Sequence, residues 1–323
     1  MSVTQRPAFC LSDGFLGLSL LPWPDRDAKV LTRFAVAGIP YDGAVTNRSG
    51  AREGPAAIRK ASRMLCDAEH PLFDCSPIDS ISDYGDLRIP LADIQHVRSA
   101  LEPQIAQLLG RHHMVWLGGD HSITLAILRQ LFKQHGQPIG LLHLDAHCDS
   151  WPDHFGEPSG HGTWVHEALL EGLILPACSM QVGIRSPASR TVRQRLERAG
   201  GVVLEARSLR DVFSSRQWQR LLDPLRVRLS KAGHPPLYLS IDIDCLDPGF
   251  APGTGTPEPA GLTPAQVMTL LEDSSDLGFI GADLCEVAPA YDHAEITSLN
   301  AAHFLWTYLC GQIRQTTASS AST

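Results

Sequence analysis

The stretch Ile139-Gly-Leu-Leu-His-Leu-Asp145-Ala-His-Cys-Asp149 decides how this chain folds. A short apolar run, strand-like in length and composition, ends abruptly in three metal-capable side chains. Two other runs end the same way. His113-Met-Val-Trp-Leu117 leads into Gly118-Gly-Asp-His121, and Leu237-Tyr-Leu-Ser-Ile241 leads into Asp242-Ile-Asp-Cys-Leu-Asp247. Further strands are expected at Phe34 to Gly38, around Ile81 to Leu87, and at Gln181 to Ile184, Val202 to Leu204 and Phe279 to Leu284. Helical stretches separate them, among them Ala56 to Leu65, Ala92 to Leu109, Ile123 to Phe132 and a long C-terminal helix. Short apolar strands alternating with helices predict an α/β fold: a three-layer α/β/α sandwich around a mainly parallel sheet.

Open sheets of this kind carry their sites beyond the carboxyl ends of the strands. In an extended segment alternate residues face one way, so Asp145, His147 and Asp149 are expected to converge, as are Asp242 and Asp244. So many carboxylates in one cleft need cations, because unpaired buried charge is too costly. Mixed histidine and carboxylate donors without thiolate suit Mn²⁺-like or Ni²⁺-like ions better than structural zinc. Six ligands hold two ions if two carboxylates bridge. A pair of ions roughly 3.5–4 Å apart activates water for hydrolysis.

With 323 residues, 43% hydrophobic and 19% charged, the chain has the composition of an ordinary globular protein. The net charge of −8 and the lack of a basic patch argue against a nucleic-acid partner. Eight scattered cysteines without a C-x-x-C pair fit a reducing, cytoplasmic setting. No apolar run approaches the roughly 18 residues of a membrane span, and Asp13 interrupts the one candidate leader, Phe9 to Leu21. Residues 1–30 are expected to form an N-terminal arm, 31–315 one catalytic domain, and 316–323 a small polar, disordered tail.

The blocks Gly-Gly-Asp-His-Ser at 118–122, Asp-Ala-His-Cys-Asp at 145–149 and Ser240-Ile-Asp-Ile-Asp-Cys-Leu-Asp-Pro248 resemble the signatures of the ureohydrolases, the arginase and agmatinase family. Gly50-Ala-Arg-Glu-Gly-Pro-Ala-Ala-Ile-Arg59, His161-Gly-Thr163, Ala251-Pro-Gly-Thr-Gly-Thr-Pro257 and Glu286-Val-Ala-Pro-Ala-Tyr-Asp292 extend the resemblance, which is nearest to bacterial agmatinases. It implies an arginase-like fold and two Mn²⁺ per subunit, with Ni²⁺ or Co²⁺ as substitutes. His121, Asp145, Asp149 and Asp242 would hold one ion; Asp145, His147, Asp242 and Asp244 the other. A hydroxide between them would attack a guanidinium carbon, with Asp149 relaying a proton. Glu286 would pair with the guanidinium, and His161 would serve the leaving amine. The products would be urea and an amine. Homotrimers or homohexamers are common in the family.

Agmatine, yielding putrescine, is the leading substrate on this reading. A guanidino acid such as 4-guanidinobutyrate, or a smaller guanidine, is the alternative. Two rivals stand beside it: a non-catalytic partner subunit, and a deacetylase-like hydrolase using one zinc. The loop Ser150–Gly160 is expected to face the far end of the substrate, with Trp151 and Asp153 as contacts. It holds Asp153 and Glu157 and no lysine or arginine, which suits a cationic tail. Cys148, Trp151 and Trp164 depart from the usual pattern around the ligand blocks. Asp247 is expected to position its loop, and Cys148, Cys245 and Cys285 to pack in the core.

Overall fold

The computed structural model describes residues 12–24 and 29–321. In chain order its elements are β1 (Phe34–Ile39), α1 (Gly54–Ser62), β2 (Ile81–Asp86), α2 (Ile94–Leu109), β3 (His113–Gly118), α3 (Thr124–His135), β4 (Gly140–Leu144) and α4 (Trp164–Leu170). They continue with β5 (Met180–Ile184), the short α5 (Arg190–Arg193) and α6 (Arg195–Arg198), β6 (Val202–Glu205) and α7 (Ser215–Lys231). The last are β7 (Leu237–Asp242), α8 (Pro264–Ser274), β8 (Phe279–Cys285) and α9 (Ile296–Ala321). All eight strands stand where the apolar runs predict them.

The strands form one sheet of order β2-β1-β3-β8-β7-β4-β5-β6. Every strand pairing in it is parallel. Alternation along each strand feeds two cores. Val115 and Leu117 of β3 pack with Ile58 of α1, Trp218 of α7, Val267 of α8 and Phe304 of α9. Met114 and Trp116 pack on the other face with Leu101 of α2, Leu125 of α3 and Trp164 of α4. The sheet is therefore the middle of three layers, apolar on both faces. Helix starts carry the expected signals: Asp93 accepts from the Gln95 and His96 amides, and Thr263 with Gln266 makes a capping box ahead of Pro264.

Strands β7 and β8 come last in sequence yet lie between β3 and β4. This brings the carboxyl ends of β3, β8, β7 and β4 side by side, and with them the three ligand blocks and Glu286.

Two terminal expectations need comment. Of the arm, Phe15 is fully buried, its amide donates to Asp83 Oδ2 at 2.8 Å, and the Leu16 amide donates to Ser62 Oγ at 2.7 Å. Residues 1–11 and 25–28 lie outside the described residues. Where a disordered tail is expected from 316, α9 is described as far as Ala321. The Thr316 and Thr317 hydroxyls fold back onto the Ile313 carbonyl at 2.8 and 3.3 Å, a local bond compatible with continued helix. Residues 322–323 lie outside the described residues. No helix among the described residues is long and apolar enough to cross a membrane.

Gly119, just past β3, is the tightest joint near the site. Its amide donates to the Ile39 carbonyl at 2.9 Å, and its own carbonyl accepts the Glu286 amide at 2.8 Å. A Cβ here would overlap the Tyr41 backbone. Gly119→Ala is therefore expected to lower stability by about 3 kcal/mol or more. A urea denaturation midpoint equal to wild type would contradict this packing.

Candidate metal centre

Three aspartates open the three ligand blocks, and each folds its own block. Asp120 Oδ1 accepts the Ser122 amide at 3.0 Å, Asp145 Oδ1 the His147 amide at 2.5 Å, and Asp242 Oδ1 the Asp244 amide at 2.8 Å. These turns, in which an aspartate bonds the amide two residues on, correct the sequence expectation. Residues 145–149 are not strand, and Ile243–Cys245 is a single 3₁₀ turn. The side chains converge because each leading aspartate curls the chain, not because extended residues alternate. Asp244 Oδ1 then accepts the Ala146 amide at 3.0 Å, tying two blocks together. Arg185 donates to the carbonyls of Asp244, Cys245 and Leu246 at 2.8, 3.2 and 3.0 Å, clamping that turn from behind.

All six expected ligand residues meet. His121 Nδ1 lies 3.3 Å from Asp145 Oδ2, 3.3 Å from Asp149 Oδ2 and 3.2 Å from Asp242 Oδ2. One ring nitrogen cannot hydrogen-bond three carboxylates, so these four atoms surround a common point. His147 Nδ1 lies 3.0 Å from Asp244 Oδ2 and 3.3 Å from Asp145 Oδ1. Asp145 thus offers one oxygen to each group. The donor set fits two hard or borderline divalent cations.

Residues that sequence reasoning passed over fix the ring orientations. Ser240 Oγ gives its proton to Asp283 Oδ1 at 2.7 Å and so accepts from His121 Nε2 at 2.8 Å. That leaves His121 Nδ1 as the lone-pair nitrogen facing the carboxylates. The Gln181 amide nitrogen donates to the Cys148 carbonyl at 2.8 Å and to His143 Nδ1 at 3.1 Å. His143 Nε2–H must then donate to Asp145 Oδ2, at 2.8 Å. The position of His143, two residues before Asp145, was a legible signal; Ser240 and Asp283 gave none.

Electrostatics match the geometry. Burial, then neighbouring carboxylates, push Asp149 and Asp242 well above the usual carboxylate range, and Asp244 is raised for the same reasons. Burial opposes charge on His121 and His147, yet the surrounding aspartates outweigh it and raise both well above the ordinary histidine value. The cluster draws in positive charge. Burial holds the Cys245 and Cys285 thiols well above their usual value and pushes Cys148 to about 12.

Glu286 and His161 stand beside this cluster. Glu286 Oε1 accepts the His121 amide at 2.9 Å and faces His161 Nδ1 at 3.0 Å. Glu286 Oε2 is buried without a hydrogen-bond partner. His161 Nε2 lies 2.8 Å from Thr46 Oγ1. Burial works against its charged form, but Glu286 prevails and raises it to about 9. Asp149 and Glu286 both have left-handed backbone, at φ 48° and 67°. Such strain in non-glycine residues gathers at functional sites.

A cleft of about 230 Å³ opens onto the cluster, lined by Thr46, His121, His147, Asp149, Trp151, His154, Phe155, His161, Gly162, Ser186, Asp242 and Thr256. Among the described residues, neither lysine nor arginine lines it. Trp151 is where the sequence reading put it. Asp153 is not: it is exposed, outside the cleft lining, and its Oδ1 accepts the Gly156 amide at 3.0 Å in the turn that turns it outward. Trp164 is not part of the cleft wall either, being fully buried beneath the cluster. Asp247 positions its loop, accepting the Gly249 and Ala260 amides at 2.9 and 2.7 Å.

The arginase family model matches residues 32–311. An agmatinase of Chromobacterium violaceum is 40% identical over 287 residues, covering 85% of this chain and 82% of that one. The human mitochondrial guanidino acid hydrolase is 37% identical over 88% of this chain and 79% of its own. The crystal structure of a hypothetical agmatinase from Burkholderia thailandensis superposes with a TM-score of 0.84 at 36% identity, covering 97% of this chain and 93% of that one. With the ligand blocks, the parallel sheet and these relatives in agreement, the chain belongs to the arginase family.

Proposed function

We propose that this protein is a binuclear-metal ureohydrolase that converts agmatine to putrescine and urea. The observation that carries the reading is the unpartnered, buried Glu286 Oε2 beside the histidine–aspartate cluster. A buried carboxylate oxygen left bare is costly, and a planar guanidinium supplies the forked donor and the charge that satisfy it. His121, Asp145, Asp149 and Asp242 would hold one cation, and Asp145, His147, Asp242 and Asp244 the second. Mn²⁺ is the proposed ion, with Ni²⁺ or Co²⁺ able to replace it. When bound, such a pair acidifies and orients a water for attack on the guanidinium carbon.

The chain's own residues do the rest. Glu286 and the aspartate cluster flank the guanidino group. Asp149, whose Oδ2 faces His121 Nδ1, would take the proton of the attacking water. His161, whose Nδ1 faces Glu286 Oε1 and whose Nε2 receives the amide of Thr46 at the cleft wall, would deliver a proton to the leaving amine. The far wall is aromatic and uncharged: Trp151, Phe155 and His154, whose burial lowers it to about 4. A cationic tail is accepted there through ring faces, whereas a carboxylate finds no basic partner. The setting proposed is the cytoplasm, where a homotrimer or homohexamer forms. All seven described cysteines are free, as a reducing compartment leaves them.

Urea release should be greatest with agmatine in a panel that includes 4-guanidinobutyrate, arginine and guanidine, each assayed with Mn²⁺, Ni²⁺ and Co²⁺. Metal analysis should approach two ions per chain; one ion would favour the single-zinc rival. Release of urea from none of them would leave the non-catalytic subunit reading in its place. Glu286→Gln should lower kcat/KM by about 10²–10³-fold, the cost of losing one partner of a buried charge pair, with metal content unchanged. Trp151→Leu should raise KM for agmatine about 2–5-fold with little change in kcat, and affect an uncharged alkylguanidine less. An equal effect on both would exclude a cation–ring contact.

A further inference from the structure

We infer that Trp164 is a positioning residue of the metal centre: its indole N–H fixes the Asp149 carboxylate and its ring fixes His121. Trp164 Nε1 donates to Asp149 Oδ2 at 2.6 Å, and that same oxygen is the one 3.3 Å from His121 Nδ1. The indole is fully buried. Its ring centroid lies 4.9 Å from that of His121 and 5.0 Å from that of His143, so it packs against both histidines of the inner cluster.

The backbone reinforces the arrangement. Trp164 is the first residue of α4, and the amides of Val165 and His166 donate to the Asp149 carbonyl at 3.0 and 3.3 Å. One helical turn therefore grips Asp149 at both its carbonyl and its carboxylate, while the residue sits in strained left-handed backbone at φ 48°. Rotation of the carboxylate would break the bond from the indole to Oδ2, so that bond keeps Oδ2 turned to His121. Leucine, methionine or phenylalanine at this position could fill space but could not hold the carboxylate. Hydrogen bonds that orient a ligand carboxylate typically carry a 10–100-fold share of metal affinity.

The test is Trp164→Phe, which keeps a ring against His121 and His143 and removes the donor. Mn²⁺ is titrated into the metal-free full-length protein, in competition with a chelating indicator. The expected result is that the ion Asp149 would hold with His121 binds about 10–100-fold more loosely, with agmatine hydrolysis depressed at limiting Mn²⁺ and recovering at excess. An affinity within twofold of wild type overturns the inference, and so does lost activity that excess Mn²⁺ does not restore. Should the variant fail to fold, the indole N–H resonances of the wild-type protein decide. The Trp164 signal shifting as Zn²⁺ is added upholds the inference; a signal that ignores Zn²⁺ overturns it. The inference rests on the cluster binding divalent ions. Wild-type protein that takes up no Mn²⁺ defeats the metal reading itself, whereas unchanged Mn²⁺ affinity in Trp164→Phe defeats only the role of Trp164.

Discussion

Mutual repulsion among buried carboxylates is the constraint around which this molecule is organised. Asp120, Asp145, Asp149, Asp242, Asp244, Asp283 and Glu286 are each at most 4% exposed, and all lie toward one end of the central strands. They divide by how their oxygens are satisfied. Asp120 takes the amides of Ala44 and Ser122, and Asp283 takes the hydroxyls of Thr124, Tyr238 and Ser240. Both are answered by neutral donors and serve as joints. Asp145, Asp149, Asp242 and Asp244 instead turn oxygens toward histidine nitrogens that also face one another's carboxylates. No neutral donor set closes that arrangement, and Arg185, the nearby guanidinium, spends its bonds on backbone carbonyls. Divalent cations would answer it.

Holding such a cluster together requires a rigid frame, and topology supplies it. Inserting β7 and β8 between β3 and β4 makes neighbours of residues as far apart in sequence as His121 and Glu286. The frame is tight enough to impose left-handed backbone on Asp149 and Glu286, at a cost of order 1–3 kcal/mol each. Gly119 is locked between the ends of β1 and β8, so the strain cannot relax by letting the strand ends part. Stability is thus drawn from the two apolar cores and used to keep charged groups where water would otherwise separate them.

The sequence carried the parts of this plan that are local. Eight apolar runs announced eight strands because a buried parallel sheet demands continuous hydrophobic stretches. The ligand blocks were legible because charge placed directly after such runs has few other reasons to exist. What escaped is non-local or conformational. Asp153 read as a cleft residue because loop composition carries no direction; a turn about Gly156 points it outward. The role of Trp164 stayed open because nothing local reveals that α4 begins beneath Asp149. Alternation gave the right convergence for the wrong reason, since a D-x-D and a D-x-H both curl when the first aspartate captures the amide two residues on. Ser240 and Asp283, which set the His121 tautomer, sit in strands where sequence shows only polar interruptions.

On the proposed function, the pairing of His161 with Glu286 would link substrate arrival to proton delivery. Before a guanidinium enters, Glu286 has one cationic partner, and that attraction keeps the histidine protonated to about pH 9. A guanidinium at the bare Oε2 gives the carboxylate a second cation to serve. The field at His161 then becomes less negative, burial asserts itself, and the proton is held less firmly. On that reading the imidazolium would be a poor acid in the free site and a better one in the occupied site, when a leaving amine needs its proton. A free carboxylate in solution could not do this, because water would screen the exchange. Burial of both groups makes the competition between two cations for one carboxylate strong enough to tie the acid's strength to the presence of its substrate.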